Sequence, residues 1–273
     1  MVRVRLTRAL AVLALPLVAA CTPERAAALR FPGAPVAFDR AASDPRAVAI
    51  ADQVIAAAGG RERWQALKQV RWSETIRRGG KPIARGEQAW DRWNARAYGR
   101  LHHDAGDVVV MRELYGARRS AYVERGGSHL VLVAGDGVQA LAIASERFTA
   151  DTAALCMPLL LEEPGTRLRY LGELQDESRR ELDAIRVELD PRDTAHPGEA
   201  FELVVDRASH RVALLAIAEA HGKASYQLDG WQDVAGLTFP TVVRDLGDTA
   251  VDVVYADLHV GEPDDALYVP PVE

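Results

Sequence analysis

The spacing of apolar and polar positions divides the chain into stretches of different period. Arg3, Arg5 and Arg8 precede an apolar run, Ala9–Ala20, broken only by Pro16. Residues 22–43 show no clear period and hold Pro23, Pro32 and Pro35. Asp44-Pro45 is a helix start, an N-cap followed by proline at the first helical position. Val48, Ala51, Ile55 and Ala58 then share one helical face, and Gly59-Gly60 closes the helix. A second short helix is predicted over Arg61–Lys68, presenting Trp64 and Leu67. From Val70 the period falls to two: Val70, Trp72, Glu74 and Ile76 share one face, Arg71, Ser73, Thr75 and Arg77 the other.

Gly79-Gly80 marks a hairpin, and strands are expected at 83–93, 95–103, 108–115, 119–125 and 129–133. Gly126-Gly127 and Gly135-Asp136-Gly137 are read as turns. The alternation resumes at 167–171, 181–189, 200–205, 211–218, 223–234, 238–245 and 250–260. Between the two series lies Phe148–Leu171, the longest apolar run after the N-terminus, with no lysine or arginine before Pro164-Gly165. So many short strands without βαβ spacing predict one large antiparallel sheet, which must curl or close. The expected fold class is mainly β with helical cover (α+β): a large curved antiparallel sheet, or unclosed β-barrel, with helices over its concave face. Residues 148–161 are expected to lie across the hollow.

The N-terminal pattern changes this picture by adding a compartment. Ala9–Ala20 is too short to span a bilayer, which takes ~20 residues, and has the layout of a cleaved signal. Leu17-Val18-Ala19-Ala20-Cys21 resembles the lipobox of bacterial lipoproteins, in which the cysteine is acylated and the chain is cut before it. The competing reading is an ordinary secretion signal with a chance cysteine. Two or more acyl chains, each worth ~0.8 kcal/mol per buried CH₂, anchor stably where one does not. Thr22, in place of an aspartate, is what the enteric sorting rule expects of an outer-membrane resident. The expected organisation is a lipoprotein signal over 1–20, lipidated Cys21 and a flexible tether over 21–43, and a single domain over 44–273, held at the outer membrane and facing the periplasm. A flexible coil of the tether's length spans roughly 25 Å.

Charge narrows the partners. Lys and Arg number 33 against 39 Asp and Glu, a formal net charge of −6 that falls further once the signal arginines leave. That balance argues against nucleic acid and against adhesion to anionic lipid surfaces. With Cys21 acylated, Cys156 has no intramolecular partner, and within Ala-Ala-Leu-Cys-Met-Pro-Leu it reads as a small buried hydrophobe.

Candidate chemistry is sparse. His102-His103-Asp104 holds metal-ligand residue types, but neighbours on a strand point to opposite faces. His129, His196, His210, His221 and His259 show no metal-ligand spacing, so no metal and no cofactor is expected. Asp206-Arg-Ala-Ser-His210 contains the residue types of a hydrolytic triad but sits between two strands as a polar turn, and no G-x-S-x-G occurs. Gly59-Gly60-Arg61 lacks the end of a phosphate loop. Glu74, among Trp72 and Ile76, is a carboxylate on the inner face, read either as meeting a cationic ligand or, more simply, as lying in water at the barrel mouth. No enzyme activity is expected.

Several landmarks fall together: Ala56-Ala-Ala-Gly-Gly60, Trp64-Gln-Ala-Leu-Lys68 before the first strand, and Met157-Pro-Leu-Leu-Leu161 before Pro164-Gly165. Gly236-Leu-Thr-Phe-Pro240 and Asp265-Ala-Leu-Tyr-Val-Pro270 complete the set. Over residues 46–272 the chain resembles the LolA/LolB-like superfamily of outer-membrane lipoprotein-sorting and related envelope proteins. The resemblance implies an unclosed antiparallel barrel with helices over an apolar concave face that binds acyl chains. It departs from the soluble carrier LolA in having an anchor. It is longer than typical LolB, and no exposed single-leucine loop maps onto LolB's membrane-insertion feature.

A curved sheet open at both ends is too wide for its own side chains to fill, so helices or a guest must occupy it. Lining residues are expected from the strands at Trp72, Ile76, Trp90, Val110 and Leu132. The central run contributes Phe148, Leu155, Met157, Leu159 and Leu160, and the later strands Tyr226, Trp231 and Phe239. The leading expectation is a non-catalytic envelope lipoprotein that binds or carries a lipidic ligand or acylated protein in that hollow. The alternatives are an accessory subunit of an envelope assembly, docking a protein partner over a hollow filled by its own helix, or a plainly packed core.

Overall fold

The structure, a computed structural model, describes residues 30, 33–132, 134–193, 200–219, 222–247 and 251–271. The predicted signal, Cys21, His196 and His221 lie outside the described residues.

The predicted helix forms as α1 (Pro45–Ala57): Asp44 accepts from the N–H groups of Arg46 and Ala47, and Pro45 opens the first turn. Its buried face is Ala47, Val48, Ile50, Ala51, Val54 and Ile55, the apolar stripe of the sequence. Gly59 ends it at φ +115° because nothing larger fits: a Cβ there would stand 2.2 Å from the carbonyl oxygen of Gly236. The short α2 (Arg61–Ala66) follows and buries Trp64, whose Nε1 donates to the Ala58 carbonyl at 3.0 Å.

Strands β1 (Gln69–Arg78), β2 (Lys81–Asp91), β3 (Arg96–His102), β4 (Asp107–Glu113), β5 (Arg119–Arg125) and β6 (Ser128–Val131) form a meander. Two helices follow, α3 (Ala134–Leu155) and α4 (Met157–Leu160). The second series is β7 (Arg167–Gln175), β8 (Glu181–Glu188), β9 (Ala200–Asp206), β10 (Val212–Glu219) and β11 (Gly222–Asp229). The chain ends with β12 (Gln232–Val234), β13 (Leu237–Phe239), β14 (Val242–Asp245), β15 (Val251–Gly261) and a 3₁₀ turn at Asp265–Tyr268.

Thirteen strands make one antiparallel sheet in the order β6-β5-β4-β3-β2-β1-β15-β14-β11-β10-β9-β8-β7. It is not closed: β6 and β7 are its two ends. The expected fold class is the one observed. The first strand pairs with the last, Gln69 opposite Gly261, and joins the two meanders into one sheet. The connection between the two free edges is α3 and α4. It crosses the sheet's face, α3 against β3, β4 and β5, and α4 against α1, α2 and α3, while α1 lies on β7 and β8.

The structure corrects the sequence reading in three places. Gly135-Asp136-Gly137 is no turn but the start of α3, so the central helix begins well before Phe148. A glycine is needed there for close approach, since a Cβ at Gly137 would lie 2.7 Å from the Leu132 carbonyl oxygen. The strand expected at 223–234 divides into β11 and β12, and the one at 238–245 into β13 and β14. Pro240 has no N–H for a ladder, and the Thr241 N–H turns to the Asp229 carbonyl at 3.0 Å. The small β12–β13 hairpin therefore leaves the main sheet and brings Phe239 edge-on to Trp64, 5.2 Å between ring centroids.

The core fills the concave side, built from the inner faces of the strands and the buried faces of all four helices. A smaller cluster, Ala89, Tyr98, Val109, Met111 and Tyr122, lies on the other face beneath Leu267 and Tyr268. Upstream of α1, Phe38 packs against the main core and the Asp44 N–H bonds the Leu168 carbonyl at 2.8 Å.

Candidate functional site in the hollow

The central run enters the hollow as deeply as it can. Phe148, Leu155, Met157, Leu159 and Leu160 are all buried, Leu155 and Leu160 at 0% exposure. Trp72, Trp90, Val110 and Phe239 are buried with them, while Ile76, Leu132, Tyr226 and Trp231 are half-buried. Cys156 separates α3 from α4, and Pro158 in the first turn of α4 has no N–H to continue the ladder of α3, so Met157–Leu160 reaches back to α1 and α2. Much of the expected hollow is thus filled by the chain itself.

Among the described residues, an opening of about 290 Å³ lies over strands β9, β10 and β11 beside Trp231, and two others flank Pro158. The larger is a groove of about 490 Å³. Its floor is Ile55, Trp64, Trp90, Leu114 and Leu159, with Phe38 and Tyr115 as apolar walls and Arg40, Arg61, Arg92, Glu162 and Glu163 at the rim. Ligand pockets commonly run ~300–1,000 Å³ with mostly apolar walls and a few polar groups, and this groove is of that kind. The rim charges are paired: Arg61 with Glu162 and Asp52, both at 2.6 Å, and Arg92 with Glu163 at 3.5 Å. The smaller opening, about 20 Å³, lies among Leu155, Met157, Val212, Leu228 and Trp231. It holds at most about one water, for which ~10–15 Å³ is needed. Of the expected lining residues, Trp90 and Leu159 face the groove, and Leu155, Met157 and Trp231 the small opening. The others are packed in the core or half-buried away from these two openings.

A polar cluster is embedded between β1, β2, β15 and α3. Arg147 Nε donates to Glu74 Oε2 at 3.0 Å, and its Nη2 donates to Asp151. Tyr255 donates its hydroxyl to Asp151 Oδ1 at 2.7 Å, and Gln88 donates to both carboxylates. Asp151 has 0% exposure; burial and the neighbouring Glu74 hold its carboxyl well above the usual range, against the pull of Arg147. Glu74 is 5% exposed, which overturns its placement in water at the mouth: the cation it meets is the chain's own Arg147. The alternation of β1 placed Glu74 on the inner face correctly. The helical i, i+4 pair Arg147 and Asp151 at the head of the apolar run was the signal for its partners, and it was passed over.

A second inner-face arginine differs. Arg112 on β4 stacks over the Phe148 ring at 4.9 Å and donates through Nη1 to Ser145 on α3. Its Nη2 is buried without a hydrogen-bond partner. Burial, and then the cross-strand Arg119, lower its pKa to about 10.

The weaker constellations sort as the residues suggested. Asp206 accepts from Ser209 N and Oγ at 2.7 and 2.9 Å and closes the β9–β10 turn, so these groups are used up in a hairpin. Burial pushes the Cys156 thiol up to about 12, as befits an inert small hydrophobe. His102 lies beside Asp107 at 3.1 Å on the rim of β3 and β4.

No protein-family model matches the chain, and no curated protein matches its sequence. Solved structures to which it is similar include a DUF1329 family protein from Desulfovibrio piger, 9% identical, TM-score 0.47, covering 83% of this chain and 98% of that one. A LolA superfamily protein from Nitrosomonas europaea is 10% identical, TM-score 0.46, over 81% of this chain and 97% of that one. An outer membrane lipoprotein-sorting protein domain from Vibrio parahaemolyticus is 9% identical, TM-score 0.45, over 82% and 96%. The solved structures similar to this chain thus include the family that its sequence resembles.

Proposed function

We propose that this protein is a lipid-anchored envelope lipoprotein that binds a hydrophobic ligand non-covalently beneath its helices. In this reading residues 1–20 are a cleaved signal, Cys21 carries the acyl anchor, residues 21–43 lead from it to the domain, their end walling the groove with Phe38 and Arg40, and residues 44–273 make up the rest of the binding domain, held at the outer membrane and facing the periplasm. The ligand is a lipid or an acylated protein. The expected site narrows from the whole hollow to the groove between α1, α2, α4 and the β2–β3 turn. Of the expected lining residues Trp90 and Leu159 face this groove; Phe148, Leu155, Met157, Leu160, Trp72, Val110 and Phe239 are buried in the interior, and the half-buried Ile76, Leu132, Tyr226 and Trp231 lie outside the groove.

The observation that carries this is the groove itself: about 490 Å³ floored by Ile55, Trp64, Trp90, Leu114 and Leu159. The test is displacement of an uncharged hydrophobic fluorophore, N-phenyl-1-naphthylamine, by palmitate or hexadecanol from the full chain carrying Cys21→Ser. Binding is expected, and Gln65→Trp, which places a ring in the groove from an exposed position on α2, should weaken it about tenfold or more. No fluorescence gain with the folded protein, or binding indifferent to Gln65→Trp, overturns the assignment of the groove.

The second reading, an accessory subunit of an envelope assembly, is favoured by one observation: Ala153–Leu161 is buried throughout, so the chain fills most of the hollow itself. A stable protein complex recovered from envelope extracts, with an empty groove, selects it.

A further inference from the structure

We propose that Arg112 is the anchor for the carboxylate of a single-chain amphiphile whose hydrocarbon tail runs past Phe148 into the groove. This rests on the hydrophobic-ligand reading above and names the chemical class of the ligand.

Arg112 is the inner-face cation with no carboxylate in reach among the described residues. Arg147 shares Glu74 and Asp151, and the groove-rim arginines Arg40, Arg61 and Arg92 each pair with an acid. Arg112 has instead the hydroxyl of Ser145, the face of Phe148 and the like charge of Arg119 across the strand pair. A half-buried guanidinium whose Nη2 is buried without a partner is destabilising. A carboxylate fits the gap, since it takes two parallel N–H groups of one guanidinium.

Between Arg112 and the groove stands the buried ring of Phe148. Leu114, two residues after Arg112 and just past the end of β4, lines the groove. Phe148 lies under Arg112 on one side and edge-on to Trp90 on the other, at 5.8 Å, and Trp90 lines the groove as well. Phe148 therefore occupies the space between the cation and the groove. A tail entering there turns the Phe148 ring aside and leaves its carboxylate against Nη2. The carboxylate points inward and the tail outward, so a neutral lipid of equal length lacks half of the recognition.

The experiment compares palmitate with hexadecanol on the full chain carrying Cys21→Ser, with and without Arg112→Gln. Palmitate affinity should fall about tenfold while hexadecanol stays within about twofold. Arg112→Met should raise the melting temperature of the unliganded protein, because it removes a half-buried charge with an unpartnered buried donor, and abolish the extra stabilisation by palmitate over hexadecanol. If both amphiphiles bind wild type and Arg112→Gln equally, the carboxylate site is wrong and the groove reading survives. If Arg112→Met melts lower and neither amphiphile distinguishes it, the arginine is structural and the site is wrong. If wild type binds neither amphiphile, the groove reading fails together with the site.

Discussion

Asp151 is the side chain on which the interior depends most directly on pH. It is buried against Arg147, Tyr255 and Gln88, and its folded-state pKa lies above the ordinary carboxylate value because of burial and Glu74. A carboxyl raised on folding contributes fully at low pH and loses that contribution as pH rises through the folded value. Asp151→Asn, a permanent mimic of the protonated form, should therefore gain on wild type in urea unfolding as the pH is taken from 5 to 8. A difference between the two proteins that does not change with pH would show that Asp151 stays ionised. At this scale the sequence was half legible. Alternation put Glu74 inward, and the apolar company of Cys156 predicted an inert thiol. The partners of Glu74 were hidden because Arg147 and Tyr255 lie on elements far along the chain. Arg112 was missed for another reason: on a strand of mixed composition an inward arginine looks the same in sequence as an outward one.

At the scale of elements, the connection from β6 to β7 organises the molecule. It has to pass from one free edge of the sheet to the other, and its cheapest course is across the apolar face. α4 is only Met157–Leu160, too short to be stable alone, and is held by what its side chains bury. Leu160, at 0% exposure, should cost about 2–5 kcal/mol when cut to alanine, read as a shifted denaturant midpoint. A loss under about 1 kcal/mol would mean that α4 merely lies on the surface of the fold. Most strands were legible because each is a hairpin neighbour of the next and carries its own alternation. The start of α3 was not, since Gly135 and Gly137 look like a turn, whereas both lie in the helix and Gly137 passes close to Leu132. Nor was the excursion of β12–β13, which depends on where Thr241 sends its N–H rather than on any apolar period.

For the whole molecule, the strand pattern foretold a large sheet that must curl or close and the resemblance implied an unclosed one; among the described residues the sheet has thirteen strands and two free ends. The pairing of β1 with β15 could not be read from a chain whose other neighbours are mostly local, because nothing in either strand names a partner so distant. The size of the hollow was also beyond pattern alone. Whether helices fill it depends on the crossing of α3 and α4, and they fill most of it, leaving the groove beside Trp64, Trp90 and Leu159. The central claim is that this groove exists for a guest. Native mass spectrometry of the protein released gently from bacterial envelopes tests it directly. The expected result is a species heavier than the released chain by one single-chain amphiphile, in near-stoichiometric amount and lost in Gln65→Trp. Recovery of the released chain with nothing bound, from wild type and variant alike, would contradict a guest in the groove.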